Sequence, residues 1–149
     1  MKQFTIQLTA LLFILLWTYA AVAKLTDMDK FHGQMAQSPI ILTLAGGLKW
    51  IVPTVELVLS VALMFRTTRY WAIIGSTFLI ACFCWYIIAI THFSTYVPCS
   101  CGGVLEKLSW NEHLLVNFFF LILGTISLLI YKDNSLFKHK ERIAIPGEC

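Results

Sequence analysis

The sequence predicts an all-α membrane protein: a bundle of four transmembrane helices, with a short extracytoplasmic amphipathic helix between the first and second spans. Two observations predict this class. The 149 residues are 58% hydrophobic and only 13% charged, and the charged share is about half that of soluble domains. Four apolar stretches are each about 20 residues long, enough for a helix to cross about 30 Å of hydrocarbon. We therefore expect one membrane domain over residues 1–131 and a polar cytoplasmic tail over residues 132–149.

The four stretches differ in their charges and in their boundaries. The first is uncharged, and we prefer a retained span to a cleaved signal peptide, because signal-peptide apolar cores are only about 7–15 residues long. The third is also uncharged, whereas the second contains Pro53 and Glu56. A capping box at Ser109-Trp110-Asn111-Glu112 starts the fourth. The predicted spans are residues 4–23, 48–65, 70–93 and 110–131.

The segment from Lys24 to Gly47 is too polar to cross a membrane. A helix start signal, T-x-x-D at Thr26–Asp29, is followed by apolar residues at helical spacing. We expect a short amphipathic helix on the membrane surface that ends near Ser38-Pro39. An ordinary packed connector is an equally weighted alternative.

Basic residues are distributed unequally between the two sides of the membrane. The positive-inside rule places the side with more basic residues in the cytoplasm, so both termini should be cytoplasmic. The connection between the third and fourth spans should then face outward, where disulfides persist. The richer side carries Lys2, Arg66, Arg69, Lys132, Lys138, Lys140 and Arg142, and the other side carries Lys24, Lys30, Lys49 and Lys107.

Two thiols one residue apart, Cys99 and Cys101, lie in this outward connection. Pro98 before them and Gly102-Gly103 after them predict an exposed loop. A disulfide within C-x-C requires a sharp bend, so it should be strained, and strained disulfides are better oxidants. We therefore favour a redox pair as the role of these two cysteines.

Other interpretations of this loop stay open. Two thiolates with His92 or His113, which lie near the outer ends of spans, suit Cu(I) or Zn. Either histidine can also act as a base toward a thiol, although each alone is more commonly an interfacial residue. The two thiols can also be unreactive.

The remaining cysteines have weaker claims to a function. Cys82 and Cys84 lie in the third span, about 200° apart on a helix, so both cannot face the bundle interior. A buried cysteine behaves as a small hydrophobic side chain, and we expect that role here. We assign no role to Cys149.

Glu56 is a carboxyl group near the middle of a span, where an acid costs about 2.5–3.5 kcal/mol on insertion scales. It should face the bundle interior, either as a proton acceptor or ligand contact or as a polar link to Thr18, Tyr19 or Asn117 on neighbouring spans. Lys24 ends the first span, and we expect its side chain to extend toward the lipid headgroups.

Several short sequences carry a resemblance to a known family. The chain resembles the MauE branch of the DoxX-like membrane proteins. The resemblance covers roughly residues 4 to 131 and rests on Tyr19-Ala20-Ala21-Val22-Ala23-Lys24, Phe31-His32, Ser38-Pro39, Pro53-Thr54-Val55-Glu56 and the run Pro98-Cys99-Ser100-Cys101-Gly102-Gly103-Val104-Leu105-Glu106-Lys107-Leu108.

The resemblance implies a four-helix membrane bundle in the bacterial inner membrane. MauE is associated with methylamine utilisation, where it is thought to support maturation of a disulfide-rich dehydrogenase subunit. By the same resemblance, Cys99 and Cys101 are the redox pair, and Glu56 and Lys24 are family-like positions. DoxX proteins are linked to quinone-coupled sulfur oxidation, which makes a membrane quinone a candidate electron acceptor.

The leading hypothesis is thus a multi-pass thiol–disulfide oxidoreductase that acts on a thioredoxin-like or disulfide-containing extracytoplasmic partner. The alternatives are a non-catalytic membrane subunit that binds a partner protein, and soft-metal handling through the C-x-C loop. Nucleic-acid binding has no support, because no groove-like run of basic residues with interleaved aromatics occurs. No P-loop, dinucleotide fingerprint or G-x-S-x-G is present either.

Overall fold

A computed structural model describes residues 2–36, 45–93 and 110–144, and this part of the chain contains helices and no strand. The helices follow the apolar stretches, because a chain in lipid must satisfy its backbone hydrogen bonds internally. Their bounds are α1 (Lys2–Thr26), α2 (Met28–Ala36), α3 (Ala45–Met64), α4 (Arg69–Phe93) and α5 (Trp110–Ala144).

Four of these helices are long and apolar enough to cross a membrane, which confirms the predicted fold class. Large apolar side chains cover their outer surfaces, and the indole of Trp85 is 73% exposed. A soluble protein rarely exposes such extensive apolar surface, so the outer face of the bundle suits lipid. The membrane-spanning segments are Gln3–Thr26, Gly46–Met64, Arg69–Ala89 and Asn111–Lys132.

The four long helices form a ring in which each packs beside two others. Helix α1 lies along α3, α3 beside α4, α4 along α5, and α5 returns to α1. The pairs Thr18–Ser60 and Lys24–Glu56 connect α1 to α3 with opposite chain directions, so these two helices are antiparallel. Short connections between antiparallel neighbours are typical of an up-down-up-down bundle.

Aromatic side chains from α1 fill the centre of the bundle. Phe13 contacts the ring of Phe120 on α5, with centroids 5.6 Å apart, and Trp17 lies 6.2 Å from the ring of Phe83 on α4. The indole Nε1 of Trp17 donates a hydrogen bond of 2.9 Å to Ser76 Oγ on α4. Side chains of α1 therefore contact both α4 and α5 in the centre of the bundle.

Helix α2 confirms the short helix expected between the first two spans. It packs against α3 and α1, and Phe31 is buried there. The predicted end of this helix, near Ser38-Pro39, lies outside the described residues.

Helix α5 is longer than the predicted fourth span. It continues from the membrane segment to Ala144, although the polar composition after residue 131 predicted no particular structure. The extension contains three lysines and one each of Leu, Glu, Arg and Ala, which favour helices, and elongating an existing helix costs less than nucleating a new one. The structure therefore has no helix break at residue 131.

A close approach of α4 to α5 depends on Gly124. A Cβ at this position would collide with the Thr77 side chain and would lie 3.2 Å from Phe13 Cζ. Thr77 Oγ1 donates to the Ile73 carbonyl at 2.8 Å, so its rotation would break a hydrogen bond. We expect Gly124→Ala to lower the free energy of unfolding by about 1–3 kcal/mol, measured by thermal unfolding in detergent.

Gly46→Ala is the matched control, since a Cβ at Gly46 meets nothing within 4 Å. This variant should unfold at the same temperature as the wild type or slightly above it, because alanine favours helix more than glycine. Equal losses in the two variants would mean that the glycine at the α4–α5 contact has no packing role.

Candidate functional site

An ion pair between α1 and α3 lies inside the bundle. Lys24 Nζ is 2.8 Å from Glu56 Oε1. The Glu56 side chain has no exposed area, and that of Lys24 is 11% exposed. Both groups are thus largely removed from solvent, where an unpaired charge is costly.

The ammonium group of Lys24 is surrounded by groups that favour a cation. Its Nζ also lies 3.4 Å from the carbonyl oxygen of Ala20, which accepts a weak hydrogen bond. The rings of Phe31 on α2 and Phe83 on α4 have their centroids 5.8 and 5.9 Å from Nζ, within the range of cation–π attraction. Four helices therefore contribute to holding this one lysine.

Three buried polar atoms, one on Glu56 and two in the first two turns of α5, have no hydrogen-bond partner among the described residues. They are the second carboxylate oxygen of Glu56, Nδ1 of His113 and Nδ2 of Asn117, and all three are buried. His113 is within electrostatic range of Lys24. We call Lys24, Glu56, His113 and, one helical turn after His113, Asn117 the polar cluster.

The polar cluster is expensive for the fold. Each buried donor or acceptor without a partner costs about 1–3 kcal/mol. A buried ion pair recovers little beyond its own desolvation cost, so its presence is weak evidence for stability. Ionisable groups inside a membrane bundle more commonly mark a functional site. The unpaired carboxylate oxygen and amide nitrogen supply an acceptor and a donor for a small ligand, water or a proton.

The polar cluster lies in the half of the bundle where the C-x-C connection begins and ends. Helix α1 ends there at Thr26, α4 ends at Phe93 and α5 begins at Trp110. Residues 94–109, which contain Cys99 and Cys101, connect α4 to α5 from this side. They lie outside the described residues, so the role assigned to the two thiols remains a prediction.

The structure corrects the expectation for Lys24. Its side chain does not extend toward headgroups but turns inward to Glu56, because a carboxylate and two aromatic faces within reach outweigh the gain from hydration. Glu56 faces the interior, as predicted, with Lys24 as its partner. Thr18, one of the expected partners of Glu56, instead forms a 2.8 Å hydrogen bond with Ser60.

The two histidines occupy different environments. His113 belongs to the polar cluster, whereas His92 is exposed near the end of α4. Only His113 of the two histidines therefore belongs to the site around the ion pair. Within residues 2–36, 45–93 and 110–144, no three His, Cys, Asp or Glu residues are arranged to hold a metal ion.

The cysteines of α4 behave as helical geometry predicted. Cys84 is buried in the core cluster, and Cys82 is exposed on the outer face of α4. Both are free thiols. This confirms that the two cannot face the interior together.

Sequence reasoning named both α5 residues of the site but not their common position on one face of the helix. Asn117 was considered only as a possible hydrogen-bond partner of Glu56, and its Nδ2 is unpaired in the described structure. A signal was present, since Asn117 is a polar residue inside an apolar span and follows His113 by four residues. Two polar positions four apart lie on the same helix face.

The fold and the polar cluster define a multi-pass membrane protein that encloses a charged pair within a four-helix bundle. Residues 2–131 match the family model described as "Methylamine utilisation protein MauE". The chain belongs to the MauE family, which confirms the resemblance carried by its sequence motifs. No curated protein and no solved structure gives a significant match.

Removing one member of the ion pair should damage the protein more than removing both. We expect Lys24→Met and Glu56→Leu each to lower stability by about 3–5 kcal/mol, because each strands an unpaired buried group. The double variant should be more stable than either single variant, since no charge remains uncompensated. A double-mutant cycle by thermal unfolding in detergent measures this coupling.

The control cycle uses Thr18→Val and Ser60→Ala, which remove the neutral hydrogen bond between the same two helices. Its coupling should be only about 0.5–1.5 kcal/mol. Additive losses for Lys24 and Glu56 would contradict a buried ion pair.

Proposed function

We propose that this protein is a thiol–disulfide oxidoreductase of the bacterial inner membrane that acts on an extracytoplasmic protein substrate. Cys99 and Cys101 form its redox pair, and the polar cluster exchanges the protons that accompany thiol chemistry. The observation that carries the proposal is the position of the Lys24–Glu56 pair, in the half of the bundle where residues 94–109 connect α4 to α5.

The redox step is an exchange between the dithiol of the substrate and the Cys99–Cys101 disulfide. A thiolate of the reduced substrate attacks one sulfur of the Cys99–Cys101 disulfide and forms a mixed disulfide. The second substrate thiolate then attacks the substrate sulfur of the mixed disulfide and releases the enzyme cysteine. The substrate thereby gains a disulfide, and Cys99 and Cys101 become thiols. Two electrons and two protons must afterwards leave the cysteine pair for the disulfide to form again.

The polar cluster supplies groups suited to this proton traffic. Glu56 has one oxygen bound by Lys24 and a second oxygen with no partner in the described structure, so it has a free site for a proton. Lys24 stabilises the carboxylate when that proton is absent. His113 adds a second proton-carrying group within electrostatic range of the lysine.

A membrane quinone is the electron acceptor we propose, since it takes up two electrons and two protons in one cycle. The residues present fit its polar groups. Asn117 Nδ2 is an unpaired donor suited to a carbonyl oxygen, and Glu56 Oε2 is an unpaired acceptor suited to a hydroxyl group.

The orientation in the membrane is part of the proposal. Seven basic residues on one side against four on the other favour a cytoplasmic position for both termini and an outward position for residues 94–109. The family description names methylamine utilisation. A disulfide-containing protein of that pathway is therefore the first substrate to test.

The cysteine pair can be tested with the single variants Cys99→Ser and Cys101→Ser. Each should accumulate in the membrane like the wild type, because a disulfide that closes so few residues constrains the unfolded chain weakly. One of them should trap the substrate as a mixed disulfide, since its resolving thiol is gone. Non-reducing gels followed by identification of the trapped protein measure this.

The control is the variant that lacks both loop cysteines, which should trap nothing while Cys82, Cys84 and Cys149 remain. A membrane-impermeant thiol reagent should label the remaining loop thiol in intact cells and leave Cys149 unlabelled until lysis. Loss of the folded protein in both single variants would point to a structural bridge or metal site. Stable variants with no trapped substrate would mean that the thiols are unreactive.

A further inference from the structure

A second polar site lies at the opposite end of the bundle from the polar cluster. It is a cavity of about 220 Å³ where the start of α1, the turn between α3 and α4 and the end of the fourth span meet. Its lining residues are Gln3, Ile6, Gln7, Arg66, Arg69 and Tyr131.

The cavity offers hydrogen-bond donors and positive charge, with no acid among its described lining residues. Arg69 is held in place, because its Nε donates to the Leu63 carbonyl at 3.1 Å. In the described part of the chain, its two terminal nitrogens and the whole guanidinium of Arg66 make no other hydrogen bond or ion pair. Two guanidinium groups, two carboxamides and a phenol therefore favour an anion.

Aromatic residues place this cavity at the level of the lipid headgroups. All four membrane spans have an end at this level. The ring of Tyr70 lies 5.1 Å from that of Tyr131 and 5.5 Å from that of Trp71, measured between centroids. Trp71 is exposed on the outer surface. Tyrosine and tryptophan collect at membrane–water interfaces, so the cavity opens where lipid phosphates lie.

We propose that this cavity binds the phosphodiester headgroup of an anionic phospholipid. Arginine recognises phosphate oxygens with paired N–H donors, and Arg66 and Arg69 have such donors available. Basic pockets between transmembrane helices on the cytoplasmic side bind anionic headgroups, and the count of basic residues predicts that this end is cytoplasmic. A free phosphate compound shares the same chemistry, but the interfacial depth of the cavity favours the lipid.

Native mass spectrometry of the full-length protein in mild detergent tests the proposal, with phosphatidylglycerol and phosphatidylcholine of identical acyl chains as the probes. The wild type should retain phosphatidylglycerol in preference to phosphatidylcholine. Arg66→Gln should reduce the retained phosphatidylglycerol about fivefold, the factor expected for one basic residue at an anionic surface. Lys49→Gln removes one charge at the other end of α3 and should leave retention unchanged.

A second comparison keeps all charges. Tyr131→Phe removes one hydroxyl from the cavity and should lower phosphatidylglycerol retention at least about twofold, whereas Tyr70→Phe, outside the cavity lining, should not. This pair decides the question if Arg66→Gln does not accumulate.

Two outcomes would overturn the proposal. Equal losses in Arg66→Gln and Lys49→Gln, or in the two tyrosine variants, would show that the cavity has no selective role. Binding of inorganic phosphate without preference for phosphatidylglycerol would assign the cavity to a free phosphate compound instead.

Discussion

The structure depends on how a lysine and a glutamate are kept together inside a bundle that faces lipid. Either charge alone would be costly inside the bundle, because removing one partner of a buried pair leaves an uncompensated charge. At 2.8 Å they neutralise each other, and this requires α1 and α3 to be antiparallel neighbours in one register. The register also brings Thr18 opposite Ser60. The ion pair thus determines the helix pair around which the rest of the bundle packs.

The remaining helices place side chains around this ion pair or near it. Helix α2 places Phe31 against the ammonium group, and α4 places Phe83 there, so the lysine is shielded by rings that still favour a cation. Helix α5 contributes His113 and Asn117, and the buried His113 Nδ1 and Asn117 Nδ2 have no partner in the described structure. A bundle selected for stability alone would replace these groups with apolar ones, since such replacement is often neutral or stabilising. Their retention is the physical argument for function.

The fold could be predicted from the sequence because long apolar stretches in lipid have few alternatives to helix. The opposite faces of Cys82 and Cys84 could be predicted because an α-helix turns by about 100° per residue. The partner of Glu56 did not follow. Lysine at the end of a span commonly reaches the headgroups, and one sequence does not reveal which helices are neighbours, so Lys24 was misplaced. The extension of α5 past residue 131 was missed because composition alone does not show where a helix stops. The roles of Cys99 and Cys101 remain predictions, outside the described residues.

We propose that the buried carboxylate of Glu56 serves the thiol chemistry of Cys99 and Cys101. The direct measurement is the rate at which reduced Cys99 and Cys101 return to the disulfide in native membranes, followed by alkylation of the free thiols. Glu56→Gln keeps the shape and a hydrogen-bonding group but cannot exchange a proton, so re-oxidation should slow at least about tenfold. Glu112→Gln, which alters an exposed carboxylate on α5, should re-oxidise like the wild type. Equal rates in the wild type and both variants would contradict the account.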